Sequence, residues 1–188
     1  MLQSDAVPGK LSTNYSGICV SFGGVSAPIT GVFPNQINVQ LPALPPGPVT
    51  VRVTANCGGN QPLSGNLAAV TVVNASPEFF TSEGVVAANI SNGIVEAYGT
   101  GWGLTSPAIP PGVIPGIAAP LVTAPSITLG GVQIPAVNIL YAGASPCCAG
   151  LYQVDFTLPP GIPPGKLPLV ITVDGSSSPP NAYLLLNP

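Results

Sequence analysis

Polar and apolar side chains alternate along Gln36-Ile-Asn-Val-Gln-Leu41, and the same alternation returns at Gln153-Val-Asp-Phe-Thr-Leu158. A period of two marks a strand with one buried face. Each run is followed by Pro-Pro-Gly, at 45–47 and 163–165, where proline's missing N–H stops a ladder. A second β-rich run then begins in each case, Val49-Thr-Val-Arg-Val53 and Leu169-Val-Ile-Thr-Val173. Upstream of each series lies a Gly-Gly pair, in Phe22-Gly-Gly-Val25 and Leu129-Gly-Gly-Val132. Glycine tolerates positive φ, so both pairs predict hairpin turns. Val173-Asp-Gly-Ser176 predicts another, and Ala182-Tyr-Leu-Leu-Leu186 a closing strand.

The two series match in order and chemistry over about 45 residues, an internal repeat of one supersecondary unit. The second copy carries roughly ten extra residues, which include Cys147 and Cys148. Nothing in the chain sustains a 3.6-residue period with caps, so little helix is expected. Short strands separated by turn signals predict an all-β chain of two β-sandwiches in tandem. The division expected is 1–76 and 77–188, with a linker near Asn74-Ala-Ser-Pro-Glu78. Beyond it, Ile94–Tyr98 reads as a strand, Gly99-Thr-Gly-Trp-Gly103 as a tight turn, and 106–120 as a long Pro/Gly/Ala/Ile loop. A loop of that length is expected to be functional or mobile.

Composition narrows the function. Only 5% of side chains are charged and there is no histidine, against about 25% charged in ordinary domains. A serine nucleophile lacks its usual base, and a Ser–Lys pair would need Lys10 or Lys166, both in Pro/Gly-rich turns. Glu78, Glu83, Glu96, Asp155 and Asp174 are the only carboxylates beside Asp5. Asp155 in an alternating strand and Asp174 in a hairpin turn have structural readings, which weighs against a glycosidase pair. No clustered acids resemble a calcium loop, leaving only Glu78 or Glu83 with backbone carbonyls. The expectation is a non-enzyme with no cofactor and no metal. Three basic residues are too few for a nucleic-acid surface. No apolar run is long enough for a membrane span. Met1–Asp5 shows no basic region before an apolar stretch, so no signal peptide is read there.

The four cysteines are Cys19, Cys57, Cys147 and Cys148. Cys19 and Cys57 fit either a disulfide or buried thiols. The adjacent Cys147 and Cys148 fit a vicinal ring, two separate partners, or reduced thiols, and sequence does not choose. A disulfide would imply an oxidising compartment. Trp102, Tyr98, Tyr141, Tyr152 and Tyr183 offer a carbohydrate platform, although aromatics on strands more often pack in cores. Asn14-Tyr-Ser16 and Asn89-Ile-Ser91 match the glycosylation pattern.

Strand-Gly-Thr-Gly-Trp-Gly103, the Gly-Gly-Val hairpins and the closing strand resemble the IPT/TIG group of immunoglobulin-like domains. Leu129-Gly-Gly-Val, Tyr141-Ala-Gly, Gly150-Leu-Tyr-Gln-Val and Leu158-Pro-Pro-Gly-Ile-Pro-Pro-Gly resemble more closely a C-terminal domain family of secreted soil-bacterial (acidobacterial-type) proteins, as does Phe33-Pro-Asn-Gln-Ile-Asn-Val-Gln-Leu-Pro. The resemblance spans roughly 11–188. It implies tandem immunoglobulin-like sandwiches and export, and no activity. The chain departs from the pattern in two places: no Gly-Thr-Gly-type strand opens the first domain before Cys19, and Cys147-Cys148 stands where small residues are usual.

The first sandwich is therefore expected to be short or to lack a strand. An unpaired edge recruits another strand, as in donor-strand complementation. Another copy, an upstream segment, or Met1–Lys10 folding back would fill the gap. The expected function is a structural, extracellular or cell-surface module that packs against copies of itself or other secreted domains, as in a filament. The surface would be Ile109, Val113, Ile114 and Ile117 with Trp102 and Tyr141, the segment before Cys19, and the Cys147-Cys148 turn. The alternative is a monomeric adhesion or glycan-binding module.

Overall fold

A computed structural model of the chain describes residues 9–187. The fold-back weighed for Met1–Lys10 lies, up to Pro8, outside the described residues. The chain forms two compact units. Unit 1 holds residues up to Val73 together with Pro110–Gly116 and Cys147–Gly150, and unit 2 holds the rest. The contiguous part of unit 1 ends at Val73, and two segments expected inside 77–188 group with it.

Unit 1 contains β1 (Ile18–Phe22), β2 (Val25–Ser26), β3 (Ile29–Phe33), β4 (Gln36–Val39), β5 (Gly47–Ala55), β6 (Leu63–Ser64) and β7 (Ala68–Val72). β1 pairs with β2 and with β5, and β6 and β7 pair with β5. β3 and β4 form a separate hairpin. Gly23 and Gly24 take φ of 55° and 83° between Phe22 and Val25, the positive-φ pair that a two-residue hairpin needs. Register places Val49, Val51 and Val53 of β5 on one face with Val20 and Phe22 of β1 and Ala68, Val70 and Val72 of β7. Only part of that apolar face is covered. Val20, Ala27, Ile29 and Val72 are buried, while Val53 and Val70 are 38% and 39% exposed.

Unit 2 contains β8 (Glu78–Phe79), β9 (Thr81–Ser82), β10 (Val85–Val86), β11 (Ala88–Ser91), β12 (Ile94–Thr100), β13 (Ala119–Pro120), β14 (Ser126–Leu129), β15 (Val132–Gln133), β16 (Ile139–Ala144), β17 (Tyr152–Thr157), β18 (Gly165–Val173), β19 (Ser176–Ser177) and β20 (Tyr183–Leu186). One sheet runs β11-β12-β17-β16-β13, with β8 also on β12. The other runs β15-β14-β18-β20-β10-β9, with β19 also on β18. Every pairing is antiparallel except β10 with β20. β12 buries Val95, Ala97 and Gly99 and turns Ile94, Glu96 and Tyr98 outward. Val154 and Phe156, and Leu169, Ile171 and Val173, point into the same core from β17 and β18. The fold is all-β and immunoglobulin-like. Among the described residues the only helical piece is a 3-10 turn at Ala136–Asn138.

The repeat is visible in the pairing. β1–β2, β3–β4 and β5 of unit 1 correspond to β14–β15, β16–β17 and β18 of unit 2. Gly130 and Gly131 repeat the positive φ of Gly23 and Gly24, and Asp174-Gly175 does the same at 48° and 76°. In unit 2, β12 pairs with β17 and carries β11 and β8. In unit 1, β4 pairs with β3 alone among the described strands, so the first sandwich is short by that block.

Candidate interaction surfaces

The loop residues singled out from sequence separate in the structure. Ile109 and Val113 are half-buried, and Ile114 and Ile117 are 39% and 56% exposed. Residues 110–116 lie against the start of unit 1. The Leu11 N–H donates to the Gly112 carbonyl at 2.7 Å and the Ile114 N–H to the Gly9 carbonyl at 3.0 Å. Lys10 and Val113 thus face each other as an antiparallel pair. The Gly112 N–H donates to Gln40 Oε1 at 2.7 Å. Gly112 has φ +82°, and a Cβ there would meet Pro28 Cγ at 2.9 Å, so glycine is required by both conformation and space. Gly150 approaches the other part of Gln40, where an added Cβ would stand 3.2 Å from Cδ.

Trp102 does not serve a surface. It is fully buried, edge-on to Phe79 at 5.6 Å and tilted against Tyr152 at 5.8 Å. Its indole N–H points to the Glu78 carbonyl at 3.4 Å, and a Cβ on Gly99 would strike its ring at 2.6 Å. Of the three glycines in 99–103, Gly99 is the one that admits the core indole, while Gly101 and Gly103 take the positive φ of a turn, at 74° and 94°. Tyr141 is likewise occupied: its hydroxyl donates to the Ala144 carbonyl at 2.6 Å and accepts from the Ala119 N–H at 3.2 Å. Trp102, being fully buried, drops out of the expected binding surface, whereas Tyr141 is half-buried. Asn14 is also committed internally, its amide donating to the Cys57 carbonyl and its oxygen accepting from the Gly17 N–H. Asn89 is exposed on β11.

The cysteines pair as Cys19–Cys57, with Cα atoms 6.0 Å apart, and as the vicinal Cys147–Cys148. The first bond joins the start of β1 to the turn after β5. It is compatible with an oxidising compartment.

No group of three or more acidic or thiol side chains converges among the described residues. Glu96 and Asp155 do face each other across β12 and β17. Gln153 donates from Nε2 to both Asp155 carboxylate oxygens, at 3.0 and 3.1 Å. Burial raises the Asp155 pKa, the Gln153 bonds lower it, and the Glu96 charge raises it. Tyr98 is pushed up to about 12, by burial first, then by its hydrogen bond to Glu96 and by the charges of Glu96 and Asp155. Burial also raises Tyr152. Two opposed carboxylates are unfavourable on a sheet, and the Gln153 amide offsets this on the Asp155 side.

The surface that the sequence reading missed is Leu63–Val72. These ten residues, Leu-Ser-Gly-Asn-Leu-Ala-Ala-Val-Thr-Val, contain no charge and no proline. They form the β6 and β7 side of β5, held between the two strands by the Gly65 N–H to the Val53 carbonyl at 2.9 Å. All but Val72 are exposed, with Leu63 at 71% and Leu67 at 55%. The legible signal was the lack of any charged or proline gatekeeper between Pro62 and Asn74.

Residues 10–75 match the IPT/TIG domain family. IPT/TIG domains are immunoglobulin-like modules, generally non-enzymatic, that act in adhesion or interaction. The match falls on the contiguous part of unit 1, while the Gly-Thr-Gly-Trp-Gly motif that resembles the group lies in unit 2. No curated protein matches the chain. No helix among the described residues is long and apolar enough to cross a membrane.

Proposed function

We propose that this protein is a non-enzymatic, extracellular structural module that packs against copies of itself by strand-edge pairing and builds a filament or surface assembly. The observation that carries this reading is the exposed edge Leu63–Val72. An unpaired edge presents a row of backbone donors and acceptors, and proteins that stay apart blunt such edges with Lys, Pro, bulges or covers. This edge has no Lys and no Pro, and it borders a half-covered apolar face that includes Val53 and Val70. An incoming antiparallel strand would satisfy the edge and extend that face. With nine charged side chains in 188 residues, repulsion between copies is weak. Export accords with the Cys19–Cys57 disulfide and with the resemblance to secreted soil-bacterial domains.

The test is assembly of the full chain, followed by light scattering and electron microscopy, against Ala69→Lys/Thr71→Lys. The wild type is expected to form ordered assemblies and the variant to stay dispersed, because like charges would meet across the new pair. A wild type that remains a monomer at all concentrations overturns the reading. Assembly unchanged in the variant would remove this edge from it.

A further inference from the structure

We propose that residues 110–116 are an exchangeable strand, seated in unit 1 of their own chain or in unit 1 of a second copy. The proposal rests on the self-association reading and gives it a second interface.

Three observations carry it. First, the segment is a guest by connectivity: the chain on both sides, through Ile109 and from Ile117, belongs to unit 2. Second, its seat is built for it. Gly9–Leu11 supply the backbone edge, Pro28 leaves room only for a glycine at 112, and Gln40 accepts from the Gly112 N–H at 2.7 Å. Third, the seat is shallow. Among the described residues three hydrogen bonds join the segment to Gly9, Leu11 and Gln40, Val113 is half-buried, and Ile114 is 39% exposed. Attachments that bury so little apolar surface open locally while the rest of a fold stays intact.

Exchange needs no new chemistry. Each copy carries one donor segment and one seat, so each hydrogen bond broken within a chain is remade between chains, the condition for domain swapping. Pro110, Pro111 and Pro115 restrict the free segment, which lowers the entropy cost when it docks again. Cys147–Gly150, the other segment of this kind, abuts Gln40 and would travel with it. The connection that must re-route is Val73–Asn74, exposed at both residues.

The register supplies the test. Leu11 N–H to Gly112 O and Ile114 N–H to Gly9 O make Lys10 and Val113 a non-hydrogen-bonded pair, whose Cα atoms lie roughly 4.5 Å apart, within disulfide reach. Full-length Lys10→Cys and Val113→Cys chains are mixed under assembly conditions, oxidised, and run on a non-reducing gel beside each variant alone. The expected result is a covalent species of twice the chain mass in the mixture, absent from either variant alone and abolished by reduction. The double variant Lys10→Cys/Val113→Cys reports on folding and on the home position: it should give a within-chain link when dilute and between-chain links as concentration rises. Assemblies whose double variant links only within chains, with no heterodimer in the mixture, overturn the exchange and leave self-association standing. Chains that stay monomeric by size exclusion at every concentration, linked only internally, overturn both.

Discussion

Unit 2 and unit 1 are built on the same hairpins and finish differently. In unit 2, β12 lies on β17, brings β11 and β8 with it, and closes a core that includes Trp102, Phe156, Ile127, Leu129 and Ile171. Unit 1 has the matching hairpin β3–β4 without that block, and among the described residues its buried apolar side chains include Val20, Ala27, Ile29 and Val72. A parallel detail marks where each unit is finished. In unit 2, Thr105 bridges Leu121, whose N–H donates to the Ala142 carbonyl of β16 at 2.9 Å. In unit 1, Val113 bridges Lys10, and two residues on Ser12 accepts from the Ile29 N–H of β3 at 2.9 Å. In unit 2 the bridging residue comes from the preceding stretch of its own unit, and in unit 1 from a segment returned from much later in the chain. A supersecondary unit thus fixes turns and pairing, while the depth of its core depends on what else reaches it.

The sharpest way to break this contrast is through the deep core. Phe156→Ala should cost unit 2 about 3–5 kcal/mol, seen as an early urea transition in Trp102 fluorescence. Phe22→Ala on the half-covered face of unit 1 should cost clearly less, and equal destabilisation would refute the difference in packing. Next in size is the cross-link. Cys19→Ser/Cys57→Ser opens a loop of 38 residues and should cost about 2–4 kcal/mol. A urea titration should show that effect confined to the unit 1 transition. Smaller again, Gly112→Ala should weaken unit 1 by about 2 kcal/mol from left-handed strain and the Pro28 clash. Gly116→Ala, with φ +65° and open space around it, should cost about 1 kcal/mol. Thermal unfolding of the pair would separate fit from conformation.

The smallest effect is in pH and belongs to unit 2. The native pKa of Asp155 is raised above its ordinary 3.8, so the folded state holds that proton more tightly than the unfolded chain. Unit 2 should gain stability as pH falls through the raised value, with the gain complete below 3.8. At the alkaline end the raised Tyr98 works in the same sense, and stability should fall as pH rises from 10 to about 12. Asp155→Asn should flatten the acid limb in urea midpoints taken across pH. An unchanged limb would mean that water reaches Asp155 more freely than its half-buried place on β17 implies.

The hairpins at Gly23-Gly24, Gly130-Gly131 and Asp174-Gly175 were legible because a positive-φ turn is a local demand on local residues. The alternation at 153–158 was legible for a similar reason, since Val154 and Phe156 face one deep core. The destination of 110–116 was not, because a Pro/Gly segment has no periodicity and its partners Lys10 and Gln40 lie some seventy to a hundred positions earlier. Trp102 was misread because its flanking glycines serve turns and close packing alike, and only tertiary packing against Phe79 and Tyr152 distinguishes the two. The edge at Leu63–Val72 was written in composition, as an absence of charge, but its exposure depends on the neighbouring strand that unit 1 lacks among its described residues.

The Cys19–Cys57 bond also sets how the chain would answer a mechanical load. Tension applied through the two ends passes from Cys19 straight to Cys57, and the 38 intervening steps of backbone carry none of it. At about 3.4 Å per residue, close to 130 Å of chain is thereby shielded from extension. That shielded stretch contains β2, β3, β4 and β5, including Pro28 and Gln40, which help to seat 110–116. Under pull, the flanking residues would lengthen while most of this receptor kept its covalent frame, a property suited to a link in a load-bearing fibre.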